Sequence, residues 1–353
     1  MKFIIGEKKE FLDFVNSISK EDNIAIISHT DLDGVASAIL LEEILKTKGL
    51  LESIKLKKFI DYKKRIFQLI LHELKEKKIS SVFITDMNPE NVDSEGFEAF
   101  REKFRVFSID HHPVGELKDK KGMIKAETEY CSAFICYELG KGILDSEKWK
   151  WLANAAAVSD MCHKNPEVLK FIQEDYPEVN RQNIFEFPPG KVSSIINSAL
   201  IYFDDVKEVY DLIKDKKIRE LEKYDREVRK EIGKWVRRYE KEAEFYPEKN
   251  LHFYYFNPDF DIKSTLATII SNKKKDAVFV FVSDVKEEPE FVSVSARNQD
   301  CREDMNKLMK KGIEGLKNAT AGGHVPAAGG RFLKKDLKKF KENILNLIAV
   351  QRR

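Results

Sequence analysis

The 353 residues include only four cysteines, Cys131, Cys136, Cys162 and Cys301, and no C-x-x-C pair. That spacing does not suggest a disulfide framework, so a reducing compartment is expected. No charge of one sign predominates: 62 Lys and Arg stand against 60 Asp and Glu, a formal net charge of +2. A protein that coats duplex nucleic acid would be basic throughout, so any nucleic-acid footprint here must be local. No window approaches the roughly 18 uninterrupted apolar residues of a membrane span. The first nine residues hold only the short apolar run Phe3-Ile4-Ile5, too little for a signal peptide. A soluble, cytoplasmic protein without membrane contact is expected, and no internal repeat or low-complexity tract is visible.

What is present is a chain that is 42% hydrophobic and 35% charged, too apolar for wholesale disorder and more charged than ordinary globular domains. Its length favours two domains, each able to bury its own core. In the first half, apolar β-branched runs alternate with helical stretches. Residues 23–28 (NIAIIS), 81–85 (SVFIT) and 105–109 (RVFSI) read as strands, residues 34–46 as a helix, and 149–157 (WKWLANAAA) as a buried helix. This βαβ rhythm implies a mostly parallel sheet covered on both faces, and such sheets hold ligands at the carboxyl ends of their strands.

Residues 205–244 form the most charged block. Leu221, Val228 and Trp235 recur there every seven residues, the pattern of a long helix that also suits a coiled-coil contact with a second copy or another partner. If continuous, it spans about 60 Å; two or three shorter helices are the alternative. Beyond Pro247 the strands return at residues 251–256, 276–283 and 291–296, with helices at 264–272 and 337–350. The expected organisation is therefore α/β throughout: a mostly parallel-sheet domain over residues 1–204, a long charged linker helix over 205–248, and a smaller α/β domain over 249–353.

The residues just past the strands carry the chemistry. His29-Thr30-Asp31-Leu32-Asp33-Gly34 follows the first strand, Asp86 the second and Asp110-His111-His112 the third, while Asp160 emerges at the end of the 149–157 helix. Aspartate and histidine without cysteine suit hard-to-borderline divalent cations such as Mn²⁺. Two adjacent cations need about three protein ligands each with one carboxylate shared, and His29, Asp31, Asp33, Asp86, His111 and Asp160 supply that set. Taken singly, each aspartate could be a helix N-cap and each histidine a scaffold. An ordered set of four segments, each at the end of an element, is much harder to assign to scaffolding. His163, three residues beyond Asp160, is a further candidate ligand.

His29-x-Asp31-x-Asp33-Gly34, Asp86, Asp110-His111-His112 and Asp160 resemble motifs I to IV of the DHH phosphoesterase superfamily. Gly322-Gly323-His324-x-x-Ala327-Ala328-Gly329 resembles the signature of its C-terminal DHHA1 domain. The combination is that of RecJ-like exonucleases, oligoribonucleases (nanoRNases) and archaeal single-strand nucleases. Ala321 departs from the pattern where relatives often carry a third glycine, and Pro326 stiffens the loop.

The resemblance implies that His29 and Asp31 hold one Mn²⁺, that Asp33, His111 and Asp160 hold the other, and that Asp86 bridges them, with Mg²⁺ or Co²⁺ as substitutes. It implies that His112 acts on the scissile phosphate and that Asp110 orients an imidazole. It further implies that His324 and the glycines, with Ala327, Ala328 and Arg297, grip the substrate. The expected activity is exonucleolytic hydrolysis of single-stranded DNA or RNA, or of short oligonucleotides, in a cleft between the domains, releasing 5′-nucleoside monophosphates. The alternatives are a small-molecule phosphoesterase acting on pyrophosphate or on linear or cyclic dinucleotides, and a replication or repair scaffold that retains the fold.

Three other features have ordinary explanations. The glycine run also suits a flexible turn between helices. Lysine groups at Lys55-Lys57-Lys58, Lys63-Lys64-Arg65, Lys273-Lys274-Lys275 and Lys334-Lys335 suit a phosphate backbone, yet solvated faces are favoured. Tyr254, Tyr255 and Phe256 offer stacking rings, but in a strand alternate members must be core.

Overall fold

The computed structural model describes every residue except 62–64, 116–118, 204, 287 and 350–353, and the side chain of residue 146. Lys63 and Lys64, and Val350 at the expected end of the last helix, lie outside the described residues. The chain forms two compact units, Met1–Asp225 and Arg226–Arg353, each built on a six-stranded sheet.

The first unit contains β1 (Phe3–Ile5), β2 (Ile24–Ser28), β3 (Ile54–Phe59), β4 (Ser81–Thr85), β5 (Arg105–Asp110) and β6 (Met123–Ala126), in the order β1-β6-β5-β4-β2-β3. β1 runs antiparallel to β6, and the remaining pairings are parallel. β2 and β4 are buried along their whole length because helices cover both faces. On one face Phe83 and Phe107 meet Phe11 and Phe14 of the helix Lys8–Asn16, with ring centroids 5.2 to 5.6 Å apart. On the other, Val82 and Ile84 pack with Phe67, Ile70, Leu74, Phe97 and Phe100. Each such fully buried side chain is worth about 1.5 to 3 kcal/mol, which fixes the strand alternation and hence which residues emerge at the strand ends. The chain steps from β2 outward to β3 and then back past β2 to β4. The strand order therefore reverses between β2 and β4, the place where open α/β sheets leave a crevice at their carboxyl edge.

The second unit pairs β7 (Glu244–Tyr246), β8 (Leu251–Tyr255), β9 (Val278–Val285), β10 (Glu288–Arg297), β11 (Thr320–Gly323) and β12 (Ala327–Leu333) in the order β11-β12-β10-β9-β8-β7. Only β8 and β9 are parallel. Val278, Val280, Val282, Val292, Val294, Ala296 and Phe332 bury one face against the helices Met305–Gly312 and Leu337–Leu347. By alternation, Ser293, Ser295 and Arg297 point to the opposite face, where the helix Lys263–Lys273 lies. Tyr254 and Phe256 are core and Tyr255 is half-buried.

Two sequence readings need correction. The block at 205–244 is not one rod but two helices, Val206–Lys214 and Ile218–Glu242. Between them Lys216 adopts a left-handed conformation with φ 57°. The Lys216 and Lys217 amides close back on the Ile213 and Leu212 carbonyls at 3.0 and 2.9 Å, a Schellman motif. Leu221, Val228 and Trp235 are all buried within the chain. The run around His324 is not a turn between helices: its glycines lie in the strands of the β11-β12 hairpin, with Gly322 opposite Gly329 and Gly323 opposite Ala328, and residues 324–326 form the connection. The strands 251–256, 276–283 and 291–296 and the helices 264–272 and 337–350 appear as β8, β9, β10, Lys263–Lys273 and Leu337–Leu347, within a few residues.

Candidate metal centre

Four segments deliver side chains to the carboxyl edge around the β2/β4 reversal. Immediately past β2, Asp31 caps the helix Leu32–Thr47, its Oδ1 accepting from the Gly34 amide at 2.9 Å. Asp33, one step into that helix, is buried and caps a different one: its two oxygens accept from the Ser132 and Ala133 amides at 2.7 and 2.8 Å, at the start of the helix Ser132–Gly140. This ties motif turn and helix together and places a carboxylate on the positive end of a helix dipole. Past β4, Asp86 turns with φ 58° and donates its amide to the Ile109 carbonyl at 3.0 Å. Ser28 Oγ, at the end of β2, lies 2.7 Å from Thr85 Oγ1, at the end of β4, and locks the two strand ends in step. Asp160 is the C-cap of the helix Ser146–Ser159.

The side chains converge in three overlapping groups whose ligand atoms lie within 4.8 Å of one another: His29 with Asp31 and Asp86, Asp33 with His111 and Asp160, and Asp86 with His111 and His112. His29 Nδ1 is 3.0 Å from Asp31 Oδ2 and 3.7 Å from Asp86 Oδ2. His111 Nε2 is 3.3 Å from Asp160 Oδ2, 3.4 Å from Asp86 Oδ1 and 3.8 Å from Asp33 Oδ2. Asp86 thus belongs to both sides of the cluster. His112 stands beside it, Nδ1 bonded to Asp110 Oδ1 at 2.8 Å. His163 is not brought to the cluster. Its ring is buried instead against Phe185, centroids 5.8 Å apart.

The electrostatics of this cluster suit cations. Burial, and then the fields of Asp33, Asp31, Asp160 and Asp110, push the Asp86 carboxyl well above its usual range. Burial and Asp33 push Asp160 up to about 8 against the pull of His111, and burial raises Asp33. Burial opposes charge on His29 and His111, but the surrounding aspartates win and raise both. Asp31 goes the other way: burial lifts it, and His29 and the Gly34 amide more than offset that. Among the described residues, no lysine or arginine pairs with Asp31, Asp33 or Asp160, and the two imidazoles are the cationic partners that face them. Oxygen-rich, imidazole-containing sites of this type fit Mn²⁺ or Mg²⁺.

A pH dependence of stability follows. A carboxyl raised by folding binds a proton more tightly in the native state, so its contribution is lost as pH rises through the raised value. A histidine raised by partners behaves in the same direction. Asp33, Asp86, Asp160, His29 and His111 therefore all predict that the metal-free protein is more stable at pH 5.5 than at pH 8. Mn²⁺ should raise the melting temperature more at pH 8, because binding requires deprotonated ligands. Calorimetry with and without EDTA at the two pH values measures both effects.

Several residues near the site were not anticipated. Ser132 Oγ lies 3.2 Å from Asp86 Oδ1. Asp61, just past β3, accepts from Thr30 Oγ1 and lies 3.9 Å from His29 Nε2. Lys125 on β6 pairs with Asp110 Oδ2 at 2.8 Å and with Glu90. The only usable sequence signals were a serine opening an apolar helix and a lone lysine in an apolar strand.

In the second unit, Arg297 stands opposite Ala327 in the β10-β12 register. It bonds Ser264 Oγ at 2.7 Å, Thr268 Oγ1 at 3.3 Å and its neighbour's carbonyl, with no carboxylate partner among the described residues. Burial lowers its pKa. Lys263, also buried, reaches Ser293 Oγ, and its nearest carboxylate, Asp261, is 3.7 Å away and exposed. His324 is exposed at the hairpin tip. Its amide bonds the Ala327 carbonyl at 2.8 Å, and the Pro326 and Val325 carbonyls accept from the Asn298 and Met305 amides at 2.9 Å. Gly322 and Gly329 share the face of Arg297 by register. A Cβ on Gly322 would meet nothing within 4 Å, and one on Gly329 only the Val294 carbonyl at 3.5 Å. Packing does not require these two glycines, so the face is left open.

Two family models match the chain: the N-terminal domain of the DHH family over residues 23–160 and the DHHA1 domain over residues 248–349. Among solved structures, a protein described as a member of the s1p family of ribosomal proteins with a DHH domain superposes with a TM-score of 0.68 at 17% identity, covering 100% of this chain and 94% of the other. Exonuclease RecJ bound to manganese gives 0.68 at 13% identity, with 96% and 92% covered. CDC45 from Entamoeba histolytica gives 0.58 at 10%, with 96% and 98% covered. At these identities the likeness is one of fold. No curated protein matches the sequence significantly.

Proposed function

The chain belongs to the DHH/DHHA1 phosphoesterase superfamily, and on that premise we propose that it is a two-metal phosphodiesterase. In this reading it removes nucleotides from the ends of single-stranded DNA or RNA, or from short oligonucleotides, and releases 5′-nucleoside monophosphates. The observation that carries the reading is the pair of ligand groups, His29-Asp31-Asp86 and Asp33-His111-Asp160, joined through Asp86.

His29 and Asp31 would hold one cation, Asp33, His111 and Asp160 the second, and Asp86 both. Bound there, divalent cations activate a water for in-line attack on phosphorus and neutralise charge on the phosphoryl oxygens. The Ser132 and Ala133 amides keep both oxygens of Asp33 aligned, so its geometry does not depend on solvent. His112 has its Nδ1 committed to Asp110, so proton exchange with the substrate runs through Nε2. In the second unit, Arg297, without a carboxylate partner among the described residues, Lys263, whose Asp261 partner is exposed and 3.7 Å away, and an open glycine face support a role in gripping phosphate and base. His324, Gly323, Ala327 and Ala328 would shape the edge of that grip. Among the described residues no helix is long and apolar enough to cross a membrane.

A time course on 5′- and 3′-labelled single strands of DNA and RNA with Mn²⁺, alongside a dinucleotide and a duplex, tests the reading. Stepwise loss of mononucleotides from single strands supports it. Turnover of pyrophosphate or a cyclic dinucleotide with inert strands overturns it. Arg297→Met should raise KM about 10- to 100-fold, the worth of one charge-assisted hydrogen bond to phosphate, while kcat changes little. An unchanged KM would remove Arg297 from the substrate grip.

A further inference from the structure

Lys125 and Asp110 are direct partners in the parallel β5-β6 register. The lysine is fully buried, and its ammonium is ringed by oxygens: Asp110 Oδ2 at 2.8 Å, the His112 carbonyl at 3.1 Å, Asn88 Oδ1 at 3.2 Å, the Pro113 carbonyl at 3.4 Å, and Glu90 Oε1 in closest contact. A lysine taken wholly out of water needs such partners. What matters is where the contacts lead. Asp110 gives one oxygen to Lys125 and the other to His112 Nδ1 at 2.8 Å. The His112 amide also bonds Asp110 at 3.3 Å, and its carbonyl bonds Lys125. The ring, the amide and the carbonyl of His112 are therefore all tied to the Asp110–Lys125 pair. Asn88 and Glu90, just beyond Asp86, complete the cradle, and Asn91 Nδ2 bonds both Asn88 Oδ1 at 2.8 Å and the Pro113 carbonyl at 2.7 Å.

We propose that Lys125 is a positioning residue for His112: by fixing one Asp110 oxygen and the His112 carbonyl, it sets the direction in which the imidazole presents Nε2. The inference rests on the two-metal phosphodiesterase reading for what His112 does. It does not depend on that reading for how the ring is held. Among the described residues, the polar contacts of the Lys125 side chain are to Glu90, Asp110, Asn88 and the His112 and Pro113 carbonyls, none a proposed ligand of the cations, so its loss should leave their binding intact.

The test compares wild type, Lys125→Met, His112→Ala and the double variant as full-length proteins. Lys125→Met is expected to lower kcat about 10- to 100-fold, as loss of an orienting partner does, with KM and the Mn²⁺ titration midpoint within about twofold of wild type. In the double variant kcat should fall no further than in His112→Ala, because a residue acting through another adds nothing once that other is gone. Multiplied losses, or a weakened Mn²⁺ midpoint, mean that Lys125 only supports the fold, and the proposal fails.

A second arm needs no activity. In metal-free, ¹⁵N-histidine-labelled protein, one slowly exchanging imidazole N–H should be present in wild type and missing from both His112→Ala and Lys125→Met. Its retention in Lys125→Met overturns the proposal even if no phosphodiester proves to be a substrate. If Lys125→Met does not fold, the charge-compensated pair Lys125→Met with Glu90→Gln replaces it, with the same measurements and the same outcomes for and against.

Discussion

Asp86→Asn is expected to lower Mn²⁺-dependent hydrolysis by at least about 10³-fold, since it removes the one carboxylate common to both ligand groups, while leaving the metal-free protein as stable as wild type or more so at pH 8. The two effects have one cause. Without cations, Asp86 is buried among Asp31, Asp33, Asp110 and Asp160, and its ionised form is strongly opposed. A neutral amide of the same shape removes that repulsion. It also suits the backbone, because asparagine accepts the left-handed conformation found at φ 58° better than alanine would. Such an exchange of stability for activity is typical of sites that keep like charges together for function. Initial rates across a Mn²⁺ titration, with calorimetry in EDTA, measure both arms. Near-wild-type hydrolysis removes Asp86 as the bridging ligand. A lower metal-free melting temperature instead means that the amide breaks the turn at the end of β4, and the account of the cluster's repulsion fails.

The parts of this fold that could be read from the sequence are those that are mostly buried. β2, β4 and β5 are dominated by apolar residues with polar ones only toward their ends and lead straight into the residue that carries chemistry, so both the strand and its functional end are visible in the same few letters. The parts that could not be read obey weaker or misleading rules. β3 (IKLKKF) is an edge strand whose lysines pair with Glu42 and Glu73 at 2.9 and 3.0 Å; the sequence shows a basic cluster and hides its partners. β6 (MIKA) is four residues long and contains Lys125, a charge that argues against burial until Asp110 and Glu90 are seen beside it. The break in the charged block turns on Lys216, a residue with no particular claim to a left-handed position, where glycine would have announced the helix end. The β11-β12 hairpin has only Thr320 and Phe332 among its strand residues as the β-branched or aromatic kind that marks strands, because an open face, not a packed one, is what its glycines provide. The grouping of the proposed metal ligands is implied by the family resemblance but not by residue order alone, which puts Asp160 far from Asp33 and His111; the helix Ser146–Ser159 returns it to the same edge.

Gly34→Ala should be the most damaging methyl group that can be added near the site. The glycine is not there for an unusual dihedral. A Cβ at this position would lie 2.3 Å from the His29 carbonyl oxygen and 2.9 Å from its Cα, and these are backbone atoms that no rotamer change can move aside. Retreat is blocked on the other side, because the Gly34 carbonyl accepts from both Ser28 Oγ at 2.7 Å and Ser37 Oγ at 2.8 Å, and its amide is the one that Asp31 caps. The methyl must therefore push the His29 segment away from Asp31 and Asp86. Overpacking costs about 1 to 3 kcal/mol, and a clash with main chain belongs at the upper end. At about 2 to 4 °C per kcal/mol for a unit of this size, the melting temperature should fall by roughly 5 to 10 °C. Added Mn²⁺ should then fail to restore what it restores in wild type, since His29 no longer reaches its group. Gly322→Ala is the control: its Cβ would meet nothing within 4 Å, so stability and Mn²⁺ response should be those of wild type, and any change should appear in KM alone. A Gly34→Ala protein that melts normally and keeps the full Mn²⁺ shift would show that His29 can move without loss, and His29 would have to be withdrawn as a ligand.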